Sequence, residues 1–346
     1  MCMGPESVIS HRDVMEEEMP DDLLRAVLSA AGFSALPAAA LTCRRWAEVA
    51  REPGVVAAAA VTEGLEGLEG VEGLDGALRL VVRQRCRVDV VRLILASETF
   101  EPVHLHIALD RASYFGHAEV VRLLLAAGAR VDHTTLLYAA SMGRAEVMGA
   151  LLDETPHIPD SHRANLLEMA AIDGHVETVR LLLERGARAD WMGGMPLCVA
   201  ARYGQTEVAR LMLTDGVGPG PGPGVRADIG DSYAFITAAE GGHVETMRLL
   251  LANGVRADCR GGLSLTLSAH EGRVEATELL LAHGVRNADA LPMAARRGHI
   301  EAVRRLLAYG ARVTWVSILS AVAGGHFVLA GILVKVLVSD ATVGRS

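Results

Sequence analysis

Histidine is the side chain of this sequence whose type and spacing come nearest to chemistry. His117, His175, His243, His299 and His326 each follow a glycine inside one recurring phrase. An imidazole can hold a metal or move a proton near neutral pH. Zinc needs its ligands within roughly 2 Å of the ion, however, and histidines a whole repeat apart cannot converge on one centre. Their regular recurrence predicts a structural task instead, the bracing of a turn by hydrogen bonds. His104-Leu-His106 is a closer pair with no third ligand near it in sequence, so no metal is expected there. Cys2, Cys43, Cys86, Cys198 and Cys259 lie far apart without a C-x-x-C pair, which argues against a disulfide framework and a thiolate metal site and fits a reducing compartment. No nucleophile motif, phosphate loop or H-E-x-x-H occurs. The expectation is a non-catalytic chain without cofactor.

The elements that carry these residues follow from composition. Of 346 residues 51% are hydrophobic but only 4% aromatic, so the apolar content is mostly Ala, Leu and Val, which suits thin stacked helices better than one thick core. A net charge of -9 gives no basic footprint, and nucleic acid is not an expected partner. Lys335 is the only lysine; every other cationic side chain is arginine.

One phrase recurs: Gly116-His-Ala-Glu-Val-Val-Arg-Leu-Leu-Leu, Gly174-His-Val-Glu-Thr-Val-Arg-Leu-Leu-Leu and Gly242-His-Val-Glu-Thr-Met-Arg-Leu-Leu-Leu. Weaker copies begin at Gly143, Gly204, Gly272, Gly298 and Gly325, and a degenerate one at Cys86, with spacings of 30, 27, 31, 30, 38, 30, 26 and 27 residues. The long interval holds the insert Gly216 to Gly224, whose alternating Pro and Gly support neither helix nor ladder and predict a surface loop. Each unit reads as two antiparallel helices. The first, such as Leu197 to Ala201, brings an alanine pair for close approach, and a glycine closes it in the left-handed conformation. The second, such as Glu177 to Arg185, places Val179, Leu182 and Leu183 on one stripe. Neither helix buries its stripe alone, so the units must stack, with irregular caps at the ends.

These residues resemble the ankyrin repeat in the Gly-His turn, the preceding Ala-Ala, the Leu-Leu-Leu run and the G-A-x-x-D closures at Gly128 to Asp132 and Gly186 to Asp190. The Thr-Pro-Leu-His signature survives only in part, as Met195-Pro-Leu197 and Thr134-Thr-Leu136, and the units are short, so trimmed hairpins are expected. The fold class expected for the chain is therefore all-α, an ankyrin-like helical-hairpin solenoid over 77–340. The resemblance implies that a protein partner lies in a concave groove, touched by hairpin tips and by the two residues before each Gly-His turn. Those places hold Tyr114, Phe115, Trp191, Tyr203, Tyr233 and Trp315, aromatic anchors of the kind that dominate interfaces. Trp191 and Trp315 could equally fold over neighbouring repeats as packing.

Ahead of the repeats stand an acidic leader (1–18), expected to be disordered, a helical segment (19–53) and a glycine-rich linker (54–76); a short tail (341–346) follows. The helical segment opens on Met19-Pro20 with Asp21 and Asp22 in a first turn, continues through Leu23, Leu24, Val27, Leu28 and Ser29, and closes on Cys43-Arg44-Arg45-Trp46. It is too small to be robust without a partner surface. It resembles an F-box, a small three-helix module. The resemblance implies docking on a Skp-type adaptor and cullin, with Pro20, Leu23, Leu24, Val27, Leu28 and Trp46 as contact or framework residues. The function it implies is that of a substrate-recruiting subunit of an SCF-type cullin-RING ubiquitin ligase, the repeats binding the target protein.

The leader has no apolar core of a secretory signal, so cytoplasm or nucleus is expected. Val313 to Val338 is nearly uncharged and about long enough to span a bilayer. Gly325-His326 falls in the repeat register within it, which favours a capping repeat, and no membrane partner is expected.

Overall fold

The computed structural model describes residues 88–97, 100–215 and 224–343. The acidic leader, the F-box-like segment with its six adaptor-contact candidates, the linker, and residues 216–223 of the insert lie outside the described residues. Every regular element in the described part is a helix, and the chain divides into two compact units meeting at Pro156 and His157.

In the first unit five helices are described: α1 (Val88–Ser97), α2 (Pro102–Phe115), α3 (Ala118–Ala126), α4 (His133–Ser141) and α5 (Ala145–Glu154). Helices α2 and α3 form one antiparallel pair and α4 and α5 the next. α2 packs on α4, while α1, α3 and α5 line up as a second layer.

The second unit repeats this plan six times. Its first-helix layer is α6 (Asp160–Ile172), α8 (Trp191–Arg202), α10 (Ile229–Gly241), α12 (Cys259–His270), α14 (Ala290–Arg297) and α16 (Trp315–Ala323). Its second-helix layer is α7 (Val176–Glu184), α9 (Thr206–Asp215), α11 (Val244–Ala252), α13 (Val274–Ala282), α15 (Ile300–Ala308) and α17 (Phe327–Val343). Each first helix packs on the next first helix, and α7 through α15 do the same in their layer. The core lies between the layers: Ala200 and Ala201 are fully buried, and so, within a few per cent, are Val179, Leu182 and Leu183. Helix α17 runs three residues beyond the expected end of the repeats at 340.

The closing turns take the form the sequence leads one to expect. Gly204 has φ +71° and Gly242 φ +81°. The next residue's N–H returns to the first helix, Gln205 to the Ala200 carbonyl and His243 to the Ala238 carbonyl, each at 2.9 Å. This six-to-one bond is the Schellman closure, and it requires the left-handed conformation at the glycine.

The entry to the first helix is less ordinary. In three consecutive pairs the chain makes a left-handed turn before the right-handed helix begins: Met192-Gly193-Gly194, Gly230-Asp231-Ser232 and Arg260-Gly261-Gly262 all have positive φ. A left-handed residue with a Cβ is held at a cost of about 1–2 kcal/mol, so Met192, Asp231, Ser232 and Arg260 must be compensated by their surroundings. Part of that compensation is visible: Arg260 Nη2 bonds Asp231 Oδ2 at 3.0 Å, and Asn287 Nδ2 bonds the Gly261 carbonyl at 2.9 Å. Hairpins reduced to these turns are the trimmed hairpins expected from the short units.

Val313 to Val338 is broken by the turn at Gly324 and Gly325 into the end of a connection, α16 and most of α17. Among the described residues no helix is long and apolar enough to cross a membrane.

Candidate binding faces

In the first unit α2 places His106, Asp110 and Tyr114 at i, i+4 and i+8, hence along one stripe. The start of the neighbouring α4 adds Asp132 and its body adds Tyr138. At one end of the stripe the Tyr114 ring stands edge-on to Phe115 at 5.2 Å and to Tyr138 at 6.1 Å, and Phe115 stacks on His117. Tyr114 and Tyr138 are exposed. Tyr138 was not among the aromatics expected from sequence. It lies five residues before Gly143, inside the helix, and only the side of α4 it occupies reveals it.

The other end of the stripe is polar. His106 Nε2 lies 3.7 Å from Asp110 Oδ2 and 3.3 Å from Asp132 Oδ2. Asp132 caps α4 by accepting from the Thr135 N–H at 2.8 Å, and the Thr135 hydroxyl donates to Asp110 Oδ1 at 2.6 Å. Burial pushes the Asp110 carboxyl above the ordinary carboxylate range despite that hydroxyl. Asp132 moves the other way: partial burial opposes its charge, but the N–H and hydroxyl of Thr135, with His106, hold it low. His106 thus has two carboxylates near it, although the sequence offers no adjacent third ligand. All three ligand-type atoms lie within 4.8 Å of one another. The Thr135 bonds and the contacts of the His106 ring with the two carboxylates account for the arrangement, so it stands as a polar link between helix pairs.

In the second unit the four expected aromatics fall in three different helix pairs. Trp191 is half-buried at the left-handed turn that opens α8, while Tyr203, at the other end of that helix, is exposed. Tyr233 is exposed just after the turn of Gly230 to Ser232, and Trp315 is 69% exposed at the start of α16. Packing over a neighbouring repeat therefore fits Trp191 in part and does not describe Trp315. Exposed Met192, Met195 and Met293 lie on the same layer and had no place in the expected set. Flexible thioethers are adaptable contact groups, but methionine carries no periodic signal that would single them out beforehand.

A depression of about 860 Å³ opens on the other layer of this unit, lined by Thr206, His243, Glu245, Arg248, Glu275, Glu278 and Tyr309 among others. It contains none of the six aromatics. Two of its charged groups, Glu245 and Glu275, are glutamates of the recurring phrase, which sequence alone shows as a solvated face.

Two comparisons bear on these faces. A model described as Ankyrin repeats (3 copies) matches residues 136–221, 197–289 and 235–317, and one described as Ankyrin repeat matches 105–136. The chain is 44% identical over 94 residues to "Ankyrin repeat and KH domain-containing protein 1" of Homo sapiens, a match covering 24% of the chain and 4% of that protein. It is 28% identical over 165 residues to "Ankyrin repeat and KH domain-containing protein mask-1" of Caenorhabditis elegans, covering 42% of the chain and 6% of that protein. The chain therefore spans only a small fraction of the length of either relative.

Proposed function

The chain belongs to the ankyrin repeat proteins, and on that premise we propose that it is a non-catalytic receptor whose two units each offer a first-helix layer to a protein partner. The observation that carries this reading is the set of large side chains left in solvent on those layers, Tyr114 and Tyr138 in the first unit and Tyr203, Tyr233 and Trp315 in the second, in a chain otherwise poor in aromatics. Exposed aromatics at such density are costly to leave wet and are the residues that anchor interfaces.

The finer reading is that residues 19–53 dock a Skp-type adaptor and cullin through Pro20, Leu23, Leu24, Val27, Leu28 and Trp46, making the receptor a substrate-recruiting subunit of an SCF-type ubiquitin ligase. Support for it comes from the residues at both ends of the motif, Met19-Pro20 and Cys43-Arg44-Arg45-Trp46. Ala31, Pro37 and Ala39 stand where the F-box pattern has leucines, and they favour one alternative, a plain interaction scaffold outside the ubiquitin pathway.

A pull-down of adaptor and cullin with the intact chain, beside a Pro20→Ala, Leu24→Ala variant, separates the two. Recovery only with the intact chain supports the ligase subunit. Recovery with neither leaves the scaffold. The partner face is tested separately with Tyr114→Ala, Phe115→Ala and Tyr203→Ala combined, which should abolish partner capture at unchanged helicity.

A further inference from the structure

The last helix pair, α16 and α17, departs from its predecessors in a consistent direction. The residue three after the turn glycine is glutamate in every earlier pair, from Glu119 to Glu301, and these side chains face water; Glu177 and Glu245 are 74% and 80% exposed. In the last pair that residue is Val328, 77% exposed, and the arginine usual three residues later is Gly331. The solvent face of the second-helix layer therefore changes from charged to apolar at α17 alone.

The end of the stack shows the same change. Three residues before the turn glycine, every earlier pair has a small buried residue, Ala295 in the pair just before; in the last pair it is Val322, 42% exposed. Six residues before the glycine, the position is buried or half-buried in every earlier pair, yet Leu319 is 64% exposed. A terminal repeat meant to face water needs a polar outer side. This one has exchanged small and charged residues for larger apolar ones.

We propose that α17, with the adjoining edge of α16, is the contact surface for a second copy of this chain, two α17 helices packing across a twofold axis. The apolar surface extends beyond the end of the stack onto the face that carries glutamate elsewhere, and a further repeat continuing the stack would leave Val328 in water, as it leaves the glutamate in the same slot of every earlier pair. Charge selects among the remaining occupants. A helix lying on an anionic lipid surface carries a basic polar face, whereas α17 has Lys335 as its one cation and Asp340 against it. Depletion of charge with retention of aliphatic side chains is the composition of a homodimer contact, and a twofold axis needs only one such patch. In size, the 17 residues of α17 and the 9 of α16 at 1.5 Å each give helices about 25 and about 14 Å long, and at about 10 Å wide each they present a face on the order of 400 Å² in projection. A typical stable contact buries about 800 Å² of accessible surface per partner, which a side-chain-covered face of that projection approaches.

Sedimentation velocity on the full chain across a concentration series is the test. The expected species is twice the 36.6 kDa chain mass. Val328→Glu, which restores the residue of every earlier pair and is therefore compatible with the fold, should raise the dissociation constant at least about tenfold. Leu319→Gln should weaken the dimer less, and both variants should keep wild-type helicity. A monomer throughout the micromolar range overturns the proposal, as does a dimer indifferent to Val328→Glu. Flotation of monomeric wild-type chain with phosphatidylcholine and phosphatidylserine vesicles, lost in Val328→Glu, would assign the surface to lipid and equally overturn it.

Discussion

The ring of His243 reaches out of its own helix pair, its Nε2 lying 2.9 Å from the Arg202 carbonyl oxygen of the preceding pair. A carbonyl only accepts, so Nε2 carries the proton. The residue in the same slot elsewhere does the same work with other chemistry: Gln205 Nε2 donates to the Ile172 carbonyl at 2.8 Å, Arg273 Nε to the Glu240 carbonyl at 3.3 Å, and Arg144 Nε to the Tyr114 carbonyl at 3.3 Å. The slot requires a donor of the right reach and nothing specific to imidazole. His243→Gln should leave unfolding free energy near wild type, while His243→Ala should lower it by about 0.5–1.5 kcal/mol, as for one net hydrogen bond. The same ring lies over Gly204, where an added Cβ would collide with it. Gly204→Ala should therefore cost more than His243→Ala, since the left-handed backbone alone is worth about 1–2 kcal/mol. Urea titrations of the three variants check the order, and equal stability of His243→Ala and wild type would show that water serves the carbonyl as well.

Ser113 and Thr178 give predictions of the opposite sign. Both side chains are fully buried, and neither hydroxyl has a partner. The slot of Ser113, three residues before the turn glycine, is alanine in the other pairs up to α14 and α15; that of Thr178, four after it, is valine at Val120, Val147 and Val208. Ser113→Ala and Thr178→Val should each stabilise by about 1 kcal/mol, the desolvation cost of an orphaned polar group. Thr246 occupies the same slot as Thr178, but its hydroxyl lies 2.8 Å from that of Thr206. Thr246→Val should give no such gain, because it leaves the Thr206 hydroxyl only its long 3.4 Å bond to the Gly204 carbonyl. Thermal melts that rank Thr246→Val with Thr178→Val would contradict this distinction.

These slots show how much the sequence makes legible. The Gly-His phrase, the alanine pair and the Leu-Leu-Leu run are strictly local and periodic, so helix pairs, turn glycines and the buried stripe of Val179, Leu182 and Leu183 can be read directly. The target of the histidine cannot: Arg202 is 41 residues from His243, and the insert between them hides their adjacency. The same holds for Tyr138 beside Tyr114 and for Asp110 and Asp132 around His106, which meet only after α2 packs on α4. The three left-handed turns had a local signal in Gly193-Gly194, Gly230 and Gly261-Gly262, but Met192, Asp231 and Arg260 in the same conformation contradict residue preference. The inter-repeat bond between Arg260 and Asp231 accounts for two of the three.

Cys198 is buried in α8, and that burial pushes its thiol up to about 11. The thiolate is the reactive form, so at pH 8 only a trace of it exists in the fold. Ellman's reagent under native conditions should leave Cys198 unmodified over times that consume an exposed thiol, and urea should release it; peptide mapping of alkylated protein identifies the residue. Cys259 should be intermediate, its thiol raised first by burial and then by the neighbouring Asp258. Rapid native labelling of Cys198 would mean that α8 opens locally far below the global unfolding free energy.

Acid should act on this fold through two sets of carboxylates with opposite signs. Arg188, Arg226 and Arg256 each donate two bonds to Asp190, Asp228 and Asp258, two residues on, and those side-chain bonds hold the three carboxyls below their ordinary range. A carboxyl lowered in the folded state contributes stability that is fully present above its unfolded pKa, about 4, and is lost as pH falls through the lower folded value. The melting midpoint should therefore drop between about pH 4 and pH 3. Arg188→Gln, Arg226→Gln and Arg256→Gln combined should flatten that drop, and high salt should flatten it in wild type, because the pairs are largely solvent-exposed. Asp110 runs the other way. Burial raises its carboxyl, so the folded state binds the proton more tightly, and stability is lost as pH rises through the folded value. Asp110→Asn, whose amide oxygen can still accept from Thr135, should raise the midpoint at neutral pH by an amount that shrinks as pH is lowered toward about 4. A variant equally stabilised at every pH would show that the gain comes from packing and not from the buried charge.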